Sequence, residues 1–136
     1  MRTGSAGLSW PLIVLLGVFA LVRPVLNITG GMDVLSRPVG PVLVTGVISV
    51  VWLVAVVWWR SERPVGTLAC AGLVYGVLAV ALSAVLSPIL HSELTGPLVT
   101  PGGTGVVMVL LVNACWGAVV GLVASAVGSR LRRVGR

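Results

Sequence analysis

The sequence predicts an all-α protein, a bundle of four transmembrane helices formed by a single domain over residues 1–136. Three observations predict it. Residues 3–22, 38–59, 64–90 and 94–129 contain no Asp, Glu, Lys, Arg or His, and each is long enough for the roughly 20 helical residues that cross about 30 Å of hydrocarbon. Hydrophobic residues make up 57% of the chain and charged residues only 9%, where a soluble domain carries about 25% charged residues. The arginines lie between and beyond the apolar stretches, at what would be the ends of the helices.

The first span is expected over residues 9–28, opening at Ser9-Trp10-Pro11. Ser9 suits a cap, Pro11 is tolerated in the first turn, and Trp10 suits the membrane interface. A cleaved signal peptide is the competing reading, but Arg23-Pro24 follows Leu21 in place of a small-x-small cleavage site, so a retained helix is expected. The second span, residues 39–59, ends in Trp58-Trp59-Arg60, aromatic and cationic anchors of an interface. Ser61-Glu62-Arg63 makes a tight connection, and the third span follows over residues 65–90, long enough to tilt or to bend near Pro88. From Leu94 to Thr104 the Pro- and Gly-rich composition reads as a loop. The fourth span is expected over residues 105–128.

Orientation follows from the arginines. Arg2, Arg60, Arg63, Arg130, Arg132, Arg133 and Arg136 fall on one side and Arg23 and Arg37 on the other, which puts both termini in the cytoplasm. All nine basic residues are Arg and none is Lys, a usage that points to a GC-rich bacterial genome and so to a bacterial plasma membrane. The net charge of +6 is read as orientation and contact with anionic lipid headgroups in the bilayer, not as a nucleic-acid footprint. Asp33, His91 and Glu93 share the outer side with the two exceptional arginines.

Helices in lipid associate through close packing of small residues, since the tails are as apolar as Leu. The fourth span carries Gly117, Gly121, Ser125 and Ser129 at four-residue intervals, with Asn113 close to the same stripe. The third carries Gly72 and Gly76, then Ala79, Ser83 and Ser87. These glycines mark a close approach in the cytoplasmic half, either between the two spans or between two copies of one. Outer halves that splay would leave a space lined by Ser83, Ser87 and Asn113, opening toward Arg23, Asn27, His91 and Glu93. The rival expectation is a solid bundle whose serines bond back to their own helix carbonyls. Pro24-Val25-Leu26 before Thr29-Gly30 and Pro88-Ile89-Leu90 before Thr95-Gly96 form a faint echo between the first and third spans, consistent with a parallel two-helix repeat or with chance.

Arg23 is the most unusual position, since 1.5 Å per residue from Trp10 puts its backbone about 20 Å into the membrane. It either snorkels to the outer headgroups or faces inward, pairing with Glu93 or Asp33 or attracting an anion. His91 and Glu93 suggest a cation-attracting outer mouth or a solvated loop, and supply too few ligands for a metal site. Asn113 is expected to bond to another helix, and Trp52, Tyr75 and Trp116 to pack or to face lipid. Cys70 and Cys115 sit at different depths, too far apart for a disulfide, and read as packing residues. No catalytic triad, paired carboxylate or phosphate loop is present, so no enzyme, metal or cofactor is expected. The expected function is a homo-oligomeric channel or transporter-like protein whose outer vestibule of Arg23, Asn27, His91 and Glu93 meets a small ion or solute. The alternative is a non-catalytic accessory subunit of a larger membrane complex, docked through its glycine stripes.

Overall fold

The computed structural model describes residues 10–34, 39–92 and 97–136, apart from the side chains of Met32, Asp33 and His91. Four segments within them are long and apolar enough to cross a membrane, and the protein is a small integral membrane protein built as a four-helix bundle. The first span is α1 (Trp10–Ala20) continued by α2 (Val22–Ile28), with a break at Leu21. Pro24 causes the break, because its ring crowds the carbonyl of Ala20 and it lacks the N–H that would bond that carbonyl. The local repair is a tighter bond from the Leu21 N–H to the Val18 carbonyl, 3.0 Å. A one-turn α3 (Gly31–Val34) leads toward α4 (Val39–Trp58), the second span.

The third span, α5 (Pro64–His91), runs through Pro88 and ends at Ser92 in a left-handed conformation. The expected loop contains two short 3₁₀ turns, Pro97–Val99 and Pro101–Gly103, and Gly102 and Gly103 take φ of +69° and +70°, which side-chain-bearing residues rarely adopt. The fourth span, α6 (Thr104–Val134), continues six residues beyond the expected end at Gly128. Its 31 residues span about 46 Å, more than the hydrocarbon thickness, so its last turns extend past the apolar layer. Arg132 and Arg133 lie in the final turn, where positive charge complements the helix dipole.

Around the bundle the order is α1, α5, α6 and α4, with α5 and α6 forming the most extensive pair. Glycine sets that pair. A Cβ on Gly72 would strike the backbone carbonyl of Asn113, and one on Gly117 the carbonyl of Leu68. One on Gly121 would come 2.5 Å from Val65 Cα, and one on Gly76 2.9 Å from Leu110 Cδ2. These contacts run antiparallel and lie within one chain. The sequence left open whether the stripes join helices or copies; here all four glycines face the neighbouring helix of the same chain. Gly17 makes a similar approach to α5, 2.7 Å from Val74 Cγ1 for an added Cβ, a contact that a lone glycine among Leu and Val did not advertise.

The buried core is Leu12, Ile13, Leu16 and Ala20 from α1, Trp52 and Val56 from α4, Leu68 and Ala71 from α5, and Val120 and Ala124 from α6. Nearly all of it lies in the half of the bundle nearer the arginine-rich end. The outward faces of α4 and α6 are exposed Val, Leu, Met and Trp, as lipid contact requires. Packing is therefore asymmetric, with the fully buried side chains concentrated toward one end.

Candidate functional site

The other half holds two cavities stacked along the bundle. The inner one, about 210 Å³, is lined from all four spans: Ala20 and Arg23, then Thr45, Ile48 and Trp52, then Tyr75, and finally Val112, Asn113 and Trp116. The outer one, about 400 Å³, is lined among others by Arg23, Asn27, Tyr75, Ser83, Ser87 and Asn113, and reaches Leu90 and Pro97 near the arginine-poor end. Arg23, Tyr75 and Asn113 border both. They form the partition.

Local chain chemistry explains this placement. Pro24 unlocks the helix at Leu21, and Arg23, just past the break, is half-buried between the helices. Its guanidinium lies near the Tyr75 hydroxyl. Arg23 borders both cavities, a position open to the outer end and to the interior alike. Glu93, one of its two expected partners, lies outside the described residues, as does the side chain of the other, Asp33. Glu62, the only acid whose side chain is described, sits at the opposite end of the bundle.

Among the four expected vestibule residues, Arg23 and Asn27 line the outer cavity together. His91 ends α5, but its side chain lies outside the described residues together with Glu93. Ser83 and Ser87 line the cavity as the splayed-helix expectation had them, and their hydroxyls are 3.4 Å apart. The rival expectation also describes part of the molecule: Ser49 bonds back to Thr45, Thr45 to Pro41, and Ser125 to Gly121, each at 2.8 to 2.9 Å. Back-bonding and a cavity coexist, because it is residue size at the α5–α6 contact that decides where the helices part.

Asn113 differs from expectation. Its amide donates 2.7 Å to the Val109 carbonyl of its own helix, the same back-bonding that the serines show. The bridging polar groups are instead the tryptophans. Trp52 Nε1 donates to the Leu16 carbonyl at 3.1 Å, tying α4 to α1, and Trp116 Nε1 donates to Ser49 Oγ at 3.0 Å, tying α6 to α4. Trp52 packs in the core, Tyr75 packs against it and Trp116 is 48% exposed, as the packing-or-lipid expectation had them, and all three also border the inner cavity. A signal was present: aromatic residues with polar atoms, far from the interface, need an interior partner.

At the arginine-rich end a wide groove of about 650 Å³ is lined by Trp58, Arg60, Ser61, Glu62, Leu131 and Arg132 among others. Cys70 and Cys115 are free thiols. Among the described residues, no three His, Cys, Asp or Glu side chains gather as metal ligands would. Comparison with protein-family models, curated proteins and solved structures gives no match.

Proposed function

We propose that the protein is a channel or transporter-like protein of a bacterial plasma membrane, both termini cytoplasmic, that admits a small anion from the outer face to Arg23. The observation that carries this reading is the guanidinium at the partition of two stacked cavities. An arginine inside a membrane costs about 2.5–3.5 kcal/mol on insertion scales. Such a charge persists where it meets water, a partner or a ligand, and the outer cavity supplies the route.

Below the partition, the Gly117 and Gly121 contacts and the core hold the helices together. One chain therefore offers an entrance without a continuous path. Passage requires the α5–α6 pair to part or a homo-oligomer to complete the route. The accessory-subunit alternative is weakened, since the stripes on which it would dock are already occupied within the chain. The lipid bilayer remains the evident partner, and the arginine-rich groove is suited to anionic headgroups.

The test is flux in proteoliposomes. Wild-type protein is expected to carry formate, acetate or chloride, and Arg23→Leu, checked for folding by its melting profile, to lose at least tenfold of that flux. Equal flux with and without Arg23, or none above protein-free liposomes, would contradict the proposal. Particle mass in mild detergent separates a homo-oligomer from a monomer.

A further inference from the structure

The inner cavity carries a ligand preference that the outer one does not. Its lining donors are largely engaged within the protein: Trp52 Nε1 to Leu16, Trp116 Nε1 to Ser49, the Asn113 amide to Val109 and the Thr45 hydroxyl to Pro41. The Tyr75 hydroxyl lies against Arg23. A guest therefore meets three aromatic side chains, the aliphatic surface of Ala20, Ile48 and Val112, and one guanidinium. That surface suits a planar apolar body bearing a single negative charge. A cationic guest, the usual occupant of an aromatic cage, is repelled by Arg23.

Volume narrows the class further. A dry apolar cavity of about 150 Å³ accommodates benzene, so the 210 Å³ here holds one ring and a carboxylate. We propose that the inner cavity binds a single-ring aromatic carboxylate, the ring against Trp52, Tyr75 and Trp116 and the carboxylate on Arg23, where an Arg–carboxylate pair is geometrically matched. This rests on the anion reading above and names the substrate class of the same site.

Binding is measured on the full chain in nanodiscs by tryptophan fluorescence and calorimetry, with empty nanodiscs as reference. The probes are benzoate, acetate and benzyl alcohol. Benzoate is expected to bind at least tenfold more tightly than either of the others. Arg23→Leu should reduce benzoate to the level of benzyl alcohol. Trp116→Leu should reduce benzoate toward acetate without changing acetate, and Trp116→Phe, which keeps a ring and guards against a folding defect, should retain most of the benzoate preference. Acetate binding as tightly as benzoate would overturn the aromatic assignment and leave the anion reading standing. Benzyl alcohol matching benzoate, or no probe binding, would overturn both.

Discussion

Replacing Gly121 by Ala perturbs the contact between α5 and α6 by one methyl group. The new Cβ would stand 2.5 Å from Val65 Cα and 2.9 Å from the Pro64 carbonyl oxygen, where carbon atoms prefer 3.5–4.0 Å. The obstacles are backbone atoms, which have no rotamer to yield, so the two helices must part by about 1 Å. Overpacking of this kind costs about 1–3 kcal/mol, and the separation loosens the neighbouring contacts along the same seam. The gain in helix propensity from Gly to Ala offsets at most about 1 kcal/mol. Gly46 on α4 is the matched control, because an added Cβ there meets nothing within 4 Å. Val120 looks like a lipid-facing control in the sequence, but it is only 6% exposed and belongs to the core. Unfolding in mixed detergent and SDS, followed by tryptophan fluorescence, should place Gly121→Ala about 2 kcal/mol below Gly46→Ala, roughly a thirtyfold difference in the folded-to-unfolded ratio. Equal stability of the two variants would refute the glycine-clamp reasoning.

Other expectations concern single bonds and orientation. Trp52→Phe keeps the ring but removes the indole donor to the buried Leu16 carbonyl, and should destabilise the protein by about 1–2 kcal/mol in the same assay; an unchanged midpoint would show that the bond contributes nothing. Pro24→Ala should restore the missing backbone donor and lengthen the first helix through Leu21, seen as slower amide exchange at Val22 through Val25; unchanged exchange would place the cause of the break elsewhere. In a background without Cys70 and Cys115, a thiol introduced by Glu62→Cys should react only after permeabilisation and one introduced by Thr100→Cys from outside, both positions being exposed. Reversed labelling would invert the orientation.

The span count, their approximate limits and the glycine seam were legible in the sequence because each is governed by one dominant local quantity: charge-free length for the spans, residue size for the seam. Gly72, Gly76, Gly117 and Gly121 showed themselves by four-residue spacing. Arg23 was recognisable from depth alone, and Ser83 and Ser87 from their stripe. The inner cavity was not legible. Its residues come from four separate helices whose relative rotation is set by Trp52 reaching Leu16 and Trp116 reaching Ser49, bonds between positions 36 and 67 residues apart. No local pattern encodes those partners. Asn113 failed as a predicted bridge because a carbonyl of its own helix, four residues back, was within reach of its amide. The extra turns of α6 escaped because the apolar signal ends at Ser129, whereas the arginine-rich residues after it remain good helix formers.

A chamber open toward the arginine-poor face and closed by the Gly117 and Gly121 contacts below Arg23 would grade thiol reactivity along α5. Single cysteines at Ser83 and Ala79, which line the outer cavity, are compared with one at lipid-facing Val85, 62% exposed, and one at Ala71, fully buried in the core. A membrane-impermeant methanethiosulfonate reacts with the thiolate, which forms in water and not in hydrocarbon or a dry core. Reaction is expected at positions 83 and 79 from the side of the 97–103 loop, slowed by acetate when Arg23 is present, and none at 85 or 71. Unreactive thiols at 83 and 79, or equal reaction at 71, would contradict it.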